Sequence, residues 1–303
     1  MRIVLAGGTG FIGRALRKEL LSSGHEVIVL TRKSGAGEKA REKFIAWDGK
    51  NVGEWAAHLD GADAVINLAG ENIAAKRWTV ARKKEIVSSR LDATRAIVRA
   101  LGEVQKKPAV LINVSAVGYY GDVPDLELTE ASGKGEGFLA ETCDQWETEA
   151  RKAESSGVRV ILARLGPVLG ERGGMLSKML PPFRFFVGAP IGTGKQWISW
   201  VHQADVVGAF LFMLEHGDFS GPVNVTSGDP VTMKEFCRKL ANILHRPCWP
   251  SLPSFFLRML MGEMAGIVLS SQKALPRRLL KAGYRFRYPD LSTALVTILK
   301  EAA

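Results

Sequence analysis

Gly7, Gly10 and Gly13 recur at intervals of three residues near the start of the chain. They follow the apolar run from Ile3 to Ala6 and open an amphipathic segment from Phe11 to Ser23. Gly7 allows a sharp turn out of a strand, Gly10 has no Cβ to obstruct a diphosphate, and Gly13 lets a helix pack closely. The free N–H groups at the helix start would then bind phosphate. The contacts predicted from this turn are those of Gly7, Thr9, Gly10, Phe11, Ile12 and Gly13.

The alternative is a plain strand-to-helix turn without a ligand, but the residues that follow favour a dinucleotide. A second apolar strand is predicted from Glu26 to Leu30, where a β-α-β unit needs one, and Thr31-Arg32-Lys33 follows it. The end of this strand meets the adenine ribose, where an acidic residue binds a 2′-hydroxyl and an arginine suits a 2′-phosphate. The basic pair therefore favours NADP(H) over NAD(H). The alternative for Arg32 is a solvated loop residue.

Apolar runs alternate with helical patterns in the first half of the chain, which is typical of an α/β fold. Further strands are predicted at Phe44–Trp47, Ala64–Gly70, Ala109–Val114 and Val158–Ala163, and a long helix at Val80–Leu101. We expect a Rossmann fold with a doubly wound, mostly parallel seven-stranded sheet and a small C-terminal substrate-binding cap. The predicted NADP-binding domain is 1–170 and the cap is 171–303, with segments around 197–226 returning to the Rossmann core.

Composition excludes several classes of protein. In 303 residues, 46% are hydrophobic and 24% charged, which is ordinary for a globular chain, and no apolar run approaches the ~20 residues of a membrane span. For that reason a membrane is not an expected partner. The net charge is +10, but the basic residues are dispersed, so nucleic acid is not an expected partner either. Three cysteines without CxxC spacing predict no metal site and a reducing, cytoplasmic location. The chain opens with a strand, so no cleaved signal is expected.

The segment from Pro250 to Pro276 is rich in methionine and phenylalanine. We expect these side chains to form the core of the small domain. The alternative is a soft apolar wall for a flexible ligand or for a partner subunit, as in a homodimer. The residues concerned are Phe255, Phe256, Leu257, Met259, Leu260, Met261 and Met264.

Further motifs carry a resemblance to a known family. They are Asn67-Leu-Ala-Gly-Glu-Asn-Ile73, Arg77-Trp78, Ser89-Arg90, Gly118-Tyr-Tyr-Gly121, Gly192-Thr-Gly-Lys-Gln196, and Trp200-Val-His202 with Asp205. With the glycine turn, they resemble the extended short-chain dehydrogenase/reductase superfamily, and more narrowly its atypical, YfcH-like epimerase family. The resemblance runs nearly end to end. It implies an NADP-binding Rossmann domain followed by a small substrate-binding domain.

The resemblance also implies individual cofactor contacts. These come from Thr31 and Arg32 after the second strand, Leu68 and Ala69 after the fourth, Val168 in the turn that begins at Arg164, and Glu85 and Arg90 on the long helix. The residues themselves give a separate argument for this end of the fourth strand. It is small and apolar through Gly70, as is needed where the protein backbone passes beneath the ribose and nicotinamide of a cofactor. Without the resemblance, Glu85 and Arg90 would be interpreted as a surface pair.

One pair of residues that this superfamily uses for catalysis is missing. Active members carry Tyr-x-x-x-Lys on the helix after the serine loop, and the tyrosine moves the proton that accompanies the hydride. The four tyrosines here, Tyr119, Tyr120, Tyr284 and Tyr288, have no lysine four residues later. Alignment on Glu147 places Leu139 and Cys143 at the two positions.

Four residues are candidates to replace the missing pair. Ser115, Tyr119 and Tyr120 lie where the fifth strand ends and could face the nicotinamide, although aromatic residues there are more often part of a core. Glu141 could act as an acid or base if it is buried, although such a glutamate is more often exposed. Cys143 could be a nucleophile, but it has no evident histidine partner, so we expect an inert packed thiol. We expect His202 to be a satisfied structural histidine and Asp205 to cap a helix that runs to Glu215.

Two functions from different classes follow from these residues. The first is an NADP(H)-dependent oxidoreductase or epimerase-like enzyme with a nonstandard proton donor, acting on a small molecule such as a nucleotide sugar. The second is a non-catalytic NADP(H)-binding sensor or regulatory protein. The missing pair favours the second, whereas the serine, the paired tyrosines and the substrate cap favour the first.

Overall fold

The computed structural model describes residues 1–32, 40–170 and 173–301, so Lys33 of the predicted basic pair lies outside the described residues. The strands are β1 Arg2–Ala6, β2 Glu26–Thr31, β3 Glu42–Ala46, β4 Ala64–Asn67, β5 Val110–Ala116, β6 Val123–Leu128, β7 Arg159–Leu165, β8 Val168–Gly170, β9 Gly173–Gly174, β10 Trp197–Ile198, β11 Val201–His202, β12 Gly221–Val225, β13 Val231–Thr232 and β14 Gln272–Ala274. The α-helices are α1 Phe11–Ser22, α2 Val80–Glu103, α3 Phe138–Arg151, α4 Leu176–Arg184, α5 Gln203–Glu215, α6 Met233–Leu244, α7 Ser254–Met261, α8 Gly266–Leu269, α9 Arg277–Lys281 and α10 Leu291–Glu301.

Seven strands form one sheet in the order β12-β7-β5-β4-β1-β2-β3, and every neighbouring pair is parallel. The order reverses beside β1, because the chain places β2 and β3 on one side of β1 and then crosses to build the remaining strands on the other side. In open α/β sheets a ligand binds outside the carboxyl ends of the strands at such a reversal. The predicted doubly wound, seven-stranded sheet is confirmed.

Helices cover both faces of this sheet, which is why its strands are apolar throughout. Side chains of β1 alternate between the faces: Ile3 and Leu5 pack in the cluster with α1 and α5, whereas Val4 and Ala6 pack in the cluster with α2. All four are fully buried. The glycine turn therefore starts from a strand that is held on both sides.

The second half of the chain contributes both to the sheet and to a separate core. β12 pairs with β7 at the edge of the central sheet. Helices α4, α6 and α10 pack around Trp200 in another apolar cluster, which forms the body of the cap. The division at residue 170 stays a prediction.

Helix α7 differs from expectation. Leu257 is buried, but Phe255, Phe256, Met259 and Leu260 are exposed, the last two by 71% and 72%. A short helix can bury only one of its sides against the cap. The other side of α7 is also apolar, and it remains exposed to solvent. The prediction that these four side chains form a core is wrong.

Among the described residues, no helix is both long and apolar enough to cross a membrane. Within the same ranges, no group of three or more His, Cys, Asp or Glu side chains is placed to hold a metal ion.

Candidate functional site

The glycine turn is closed so tightly that side chains are excluded at two of its positions. Gly7 has a φ of +79°, which glycine adopts without strain, and a Cβ there would lie 2.9 Å from the carbonyl carbon of Leu68. A Cβ on Gly13 would lie 2.3 Å from the carbonyl oxygen of Gly7. At Gly10 a Cβ would make a close contact of 3.3 Å with the carbonyl oxygen of Gly7, but beyond its chain neighbours no other described atom would lie within 4 Å, so the rest of the space around it is open.

The start of α1 presents unpaired N–H groups to this space. No side chain caps the helix, and its first hydrogen bond runs from the Arg14 amide to the carbonyl of Gly10. The amides of residues 11–13 therefore have no helical partner. Arg14 also donates through Nη1 to the carbonyl of Thr9 at 2.9 Å, which braces the turn. Free amides, a positive helix end and a cradle that a Cβ would fill all fit a diphosphate.

Phe11 joins the glycine turn to β8, the strand that begins with Val168. A Cβ on Gly170 or Gly173 would lie within 2.7 Å of the Phe11 ring, so the ring packs directly on this backbone. Gln203 Nε2 donates to the carbonyl of Phe11 at 2.9 Å. Val168 is nearly buried in the apolar cluster against which Phe11 packs, so the structure brings both residues to one side of the turn.

A buried amide orients the backbone at the end of β4, where Leu68 and Ala69 follow. Asn67 Oδ1 accepts from the Ala69 amide at 3.1 Å, and its Nδ2 donates to Asn113 Oδ1 at 2.7 Å and Thr94 Oγ1 at 3.0 Å. Asn67 is fully buried, so these bonds are shielded from water. The backbone beside the glycine turn is therefore held in place without a large side chain.

Thr31 and Arg32 lie at the carboxyl end of β2, next to β1. The Thr31 side chain is buried, whereas the Arg32 side chain is 73% exposed. Arg32 Nη1 lies 3.3 Å from Oε1 of Glu71, which belongs to the loop after β4. Because β1 separates β2 from β4, this contact extends across the end of β1, above the glycine turn. A guanidinium in that place suits a phosphate on the adenosine side.

Arg90 lies at the end of β4, whereas Glu85 reaches that region through another residue. A Cβ on Gly70 would lie 3.2 Å from Arg90 Cγ, and Arg90 Nη2 donates to the carbonyl of Glu71 at 3.0 Å. Glu85 is more than half exposed and accepts from Nη1 of Arg82 at 2.8 Å. The structure therefore places Arg90, and not Glu85, directly against the stretch of protein backbone that is predicted to contact the cofactor.

Arg82 is a residue of this site that the sequence analysis missed. It is 7% exposed, donates through Nη2 to the carbonyl of Asn72 at 2.7 Å, and lies 3.5 Å from Glu71 Oε2. Its buried Nε has no partner among the described residues. Arg82, Ile86 and Arg90 recur at intervals of four, on one face of α2. That spacing could have identified Arg82, because Ile86 was already expected on the buried face.

Ser115 belongs to a buried network of charges. Its Oγ donates to Glu147 Oε1 at 2.7 Å, and Arg164 binds both oxygens of Glu147 at 2.8 Å. All three residues are at most 3% exposed. Because the Ser115 hydroxyl already donates its hydrogen to a carboxylate, this geometry does not offer that hydrogen to a substrate.

The two neighbouring tyrosines have different surroundings. Tyr120 is 1% exposed; its hydroxyl accepts from Arg164 Nη1 at 3.1 Å and lies 2.7 Å from Asn224 Oδ1, and burial raises its pKa. The ring of Tyr119 lies 3.5 Å from the guanidinium carbon of Arg164, and the residue is partly exposed. Within the described part of the chain the Tyr119 hydroxyl makes no hydrogen bond. It is the predicted catalytic hydroxyl that this network leaves free.

Helix α3 holds apolar residues at the positions of the missing catalytic pair. Leu139 packs on Gly118, where a Cβ would lie 3.3 Å from the leucine. Cys143 is buried, which raises its pKa to about 11, so its thiol stays protonated and inert. The side chain of Glu141 is 53% exposed and pairs with Lys134 at 2.8 Å. The burial on which an acid–base role of Glu141 depends is therefore absent.

Asp205 acts differently from expectation, whereas His202 is structural as expected but only half satisfied, because its buried Nε2 has no hydrogen-bond partner among the described residues. His202 Nδ1 accepts from the amide of Ala204 at 3.0 Å and so caps α5. Asp205 instead accepts from the amides of Arg287 at 2.6 Å and Tyr288 at 3.0 Å, which fastens the segment before α10 to α5. The prediction that Asp205 caps the helix is wrong, because its carboxylate already binds amides that are distant in sequence.

His202 should make the fold sensitive to acid. The pKa of a histidine in an unfolded chain is about 6.5. In the folded protein, burial lowers the pKa of His202 to about 4, and the nearby charge of Arg287 contributes to this lowering. As pH falls below 6.5 the unfolded chain binds the proton first, so about 3 kcal/mol of stability should be lost by pH 4. His202→Asn keeps a capping acceptor but does not titrate. Urea unfolding between pH 7.5 and 4 should therefore show a larger loss in the wild type; equal losses would contradict this assignment.

Comparisons of this chain with family profiles and with known proteins identify the same family. The profile of the NAD dependent epimerase/dehydratase family matches residues 3–226, and that of a domain of unknown function (DUF1731) matches residues 252–298. Epimerase family protein YfhF of Bacillus subtilis is 40% identical over 305 residues, which cover 99% of each chain.

Two solved structures that are similar to this chain are also named as an epimerase or an epimerase family protein. The crystal structure of human epimerase family protein SDR39U1 (isoform 2) with NADPH has a TM-score of 0.90 and 36% identity, and covers 99% of both chains. A nucleoside-diphosphate sugar epimerase from Corynebacterium glutamicum has a TM-score of 0.78 and 32% identity over 99% of this chain and 58% of that one.

Proposed function

Since this chain belongs to the NAD-dependent epimerase/dehydratase family, within the extended short-chain dehydrogenases/reductases, we propose that it binds NADP(H) at the glycine turn. The observation that carries the proposal is the cradle itself: open space beside Gly10, free amides at residues 11–13, and Arg32 across the end of β1. The similar human protein was solved with NADPH, which supports the phosphorylated cofactor.

The residues divide along the length of the dinucleotide. Thr31 and Arg32 hold the adenosine side, and the glycine turn holds the diphosphate. The backbone of Leu68, Ala69 and Gly70 and the Arg90 side chain support the ribose and nicotinamide, with Val168 closing the turn from the other side. Glu85 acts on this group through Arg82.

We assign the chemistry to an oxidoreductase or epimerase-like reaction, in which the bound cofactor supplies or accepts a hydride. The chain must then move a proton, and Tyr119 is the residue that we propose for it. Its hydroxyl makes no hydrogen bond within the described residues, and the Arg164 guanidinium carbon, 3.5 Å from the centre of its ring, holds that ring in place through a cation–π contact. A nucleotide sugar is the proposed substrate, supported by the name of the Corynebacterium relative. Three free thiols are consistent with the cytoplasm.

A second function is favoured by helix α3. Leu139 and Cys143 occupy the positions of the usual pair, and Ser115 donates to Glu147, so the site holds none of the superfamily's usual proton-transfer groups in position. The protein would then be an NADP(H)-binding sensor or regulator. Incubation with NADPH and a panel of carbonyl compounds and nucleotide sugars separates the two. Tight NADPH binding without turnover on any compound would favour the sensor.

Arg32→Asp should weaken binding of NADP(H) by about 10- to 100-fold and leave NAD(H) nearly unchanged, because the change removes a charge-assisted bond to the 2′-phosphate and adds a repelling carboxylate. Titration calorimetry with both cofactors measures this. Glu71→Gln is the matched control, since it breaks the same ion pair but keeps the guanidinium. If Arg32→Asp weakens both cofactors equally, Arg32 does not read the 2′-phosphate.

A further inference from the structure

Nine large apolar side chains on two segments of the cap are exposed to solvent. They lie at the end of α4 and in the stretch from residue 249 through α7, and we call them the cap apolar face. Its members are Phe185, Phe186, Val187, Trp249, Leu252, Phe255, Phe256, Met259 and Leu260. A surface this rich in large apolar residues marks a site of interaction, since isolated exposures are normal but clustered ones are not.

The two segments lie side by side. Trp249 donates through its indole N–H to the carbonyl of Phe186 at 2.7 Å and through its amide to the carbonyl of Gly188 at 2.9 Å. The Leu252 amide donates to the carbonyl of Pro190 at 2.8 Å, which continues the pairing toward α7. The apolar face is therefore one surface and not two separate patches.

Helix α7 contributes one of its sides to this surface. Phe255 and Phe256 stack with ring centroids 4.1 Å apart, and Met259 and Leu260 lie one turn later on the same side. Leu257 points the other way and is buried in the cap. The helix is thus anchored through one residue and presents four large apolar side chains outward.

Both segments that carry the apolar face are basic in sequence, and acidic residues are missing from both. Residues 175–202 contain three Lys or Arg and residues 236–262 contain four, and neither range contains an Asp or Glu. The Arg246 guanidinium carbon lies 4.4 Å from the centroid of the Phe186 ring, within the face itself. The acidic residues that border the second range are already paired, Glu235 with Lys239 and Glu263 with Lys83.

We propose that the cap apolar face docks on the surface of a bilayer that contains anionic lipid. Large apolar side chains enter the boundary between headgroups and acyl chains, while lysine and arginine next to them attract anionic headgroups. A second copy of this chain fits less well, because a symmetric contact would bring Arg246 and Arg258 of both copies to one interface, and neither segment contains an acidic residue to pair with them. This proposal does not depend on which cofactor or substrate the protein uses.

Co-sedimentation of the full chain with vesicles tests the proposal. Vesicles of phosphatidylglycerol and phosphatidylcholine should bind the protein, vesicles of phosphatidylcholine alone should bind at least about tenfold less, and added salt should weaken the binding. The double variant Met259→Asp with Leu260→Asp should reduce binding to the mixed vesicles at least about tenfold. Arg246→Glu with Arg258→Glu should abolish the preference for phosphatidylglycerol. Leu126→Asp, at a leucine on β6 that is 64% exposed, should change nothing.

Three results would overturn the proposal. The wild type could fail to bind mixed vesicles, or the Met259/Leu260 variant could bind as well as Leu126→Asp does. Analytical ultracentrifugation could also show a dimer that the Met259/Leu260 variant dissociates, which would identify a second copy as the occupant. Met259, Leu260, Leu126 and Arg258 are exposed and Arg246 is half-buried, so thermal unfolding of every variant is measured alongside binding, and unchanged unfolding separates lost docking from lost folding.

Discussion

Glu147→Ala should lower the free energy of unfolding by about 3–5 kcal/mol, because it leaves a buried guanidinium without its carboxylate. Arg164 is 3% exposed and binds both oxygens of Glu147 at 2.8 Å, and Ser115 donates to the same carboxylate. Without the carboxylate, all of these donors would be buried away from water and would lack a hydrogen-bond acceptor. Urea unfolding at neutral pH measures the loss.

Glu141→Ala is the matched control for this prediction. Glu141 lies on the same helix and pairs with Lys134 at the same 2.8 Å distance, but its side chain is 53% exposed. An exposed pair contributes about 0–1 kcal/mol, because water and salt screen it. A further variant, Glu147→Leu with Arg164→Met, removes both charges and should recover much of the lost stability. If Glu147→Ala costs no more than Glu141→Ala, the network does not hold the site together.

Tyr119→Phe should reduce turnover by about 10²- to 10⁴-fold on whichever substrate the panel identifies, because it removes the proton that a positioned acid transfers. Binding of NADPH should be unchanged, since the ring and its contact with Arg164 remain. Stopped-flow oxidation of bound NADPH and a separate binding titration measure the two quantities. An unaltered rate in Tyr119→Phe would exclude Tyr119 as the proton donor.

Tyr120→Phe is the comparison that distinguishes chemistry from packing. The Tyr120 hydroxyl accepts from Arg164 and lies 2.7 Å from Asn224 Oδ1, deep in the core. Its removal should cost about 1–3 kcal/mol of stability, because buried partners lose a hydrogen bond. Turnover per folded molecule should change much less than in Tyr119→Phe. The reverse pattern would assign the proton to Tyr120.

Much of the fold could be predicted from the sequence because it depends on local pattern. Apolar runs of the right length mark β1, β2, β4, β5 and β7, and the observed bounds differ by only a few residues. The spacing of Gly7, Gly10 and Gly13 indicates the turn, and a backbone that collides with a Cβ at two of these positions is its physical basis. The exposed side of α7 was missed, because apolar residues on both sides of a short helix look the same as a buried one.

The sequence alone determined the strand-turn-helix that opens the chain, the parallel sheet and the lack of Tyr-x-x-x-Lys, since each depends on residues within a few positions of one another. The tertiary structure decided which hydroxyl is free. Ser115 meets a carboxylate 32 residues away and Tyr120 an amide 104 residues away, whereas Tyr119 meets no hydrogen-bond partner in the described residues. It also brought Arg32 to Glu71 across the end of β1 and left α7 facing solvent. These contacts join segments that are distant in the chain, and local spacing contains no information about them.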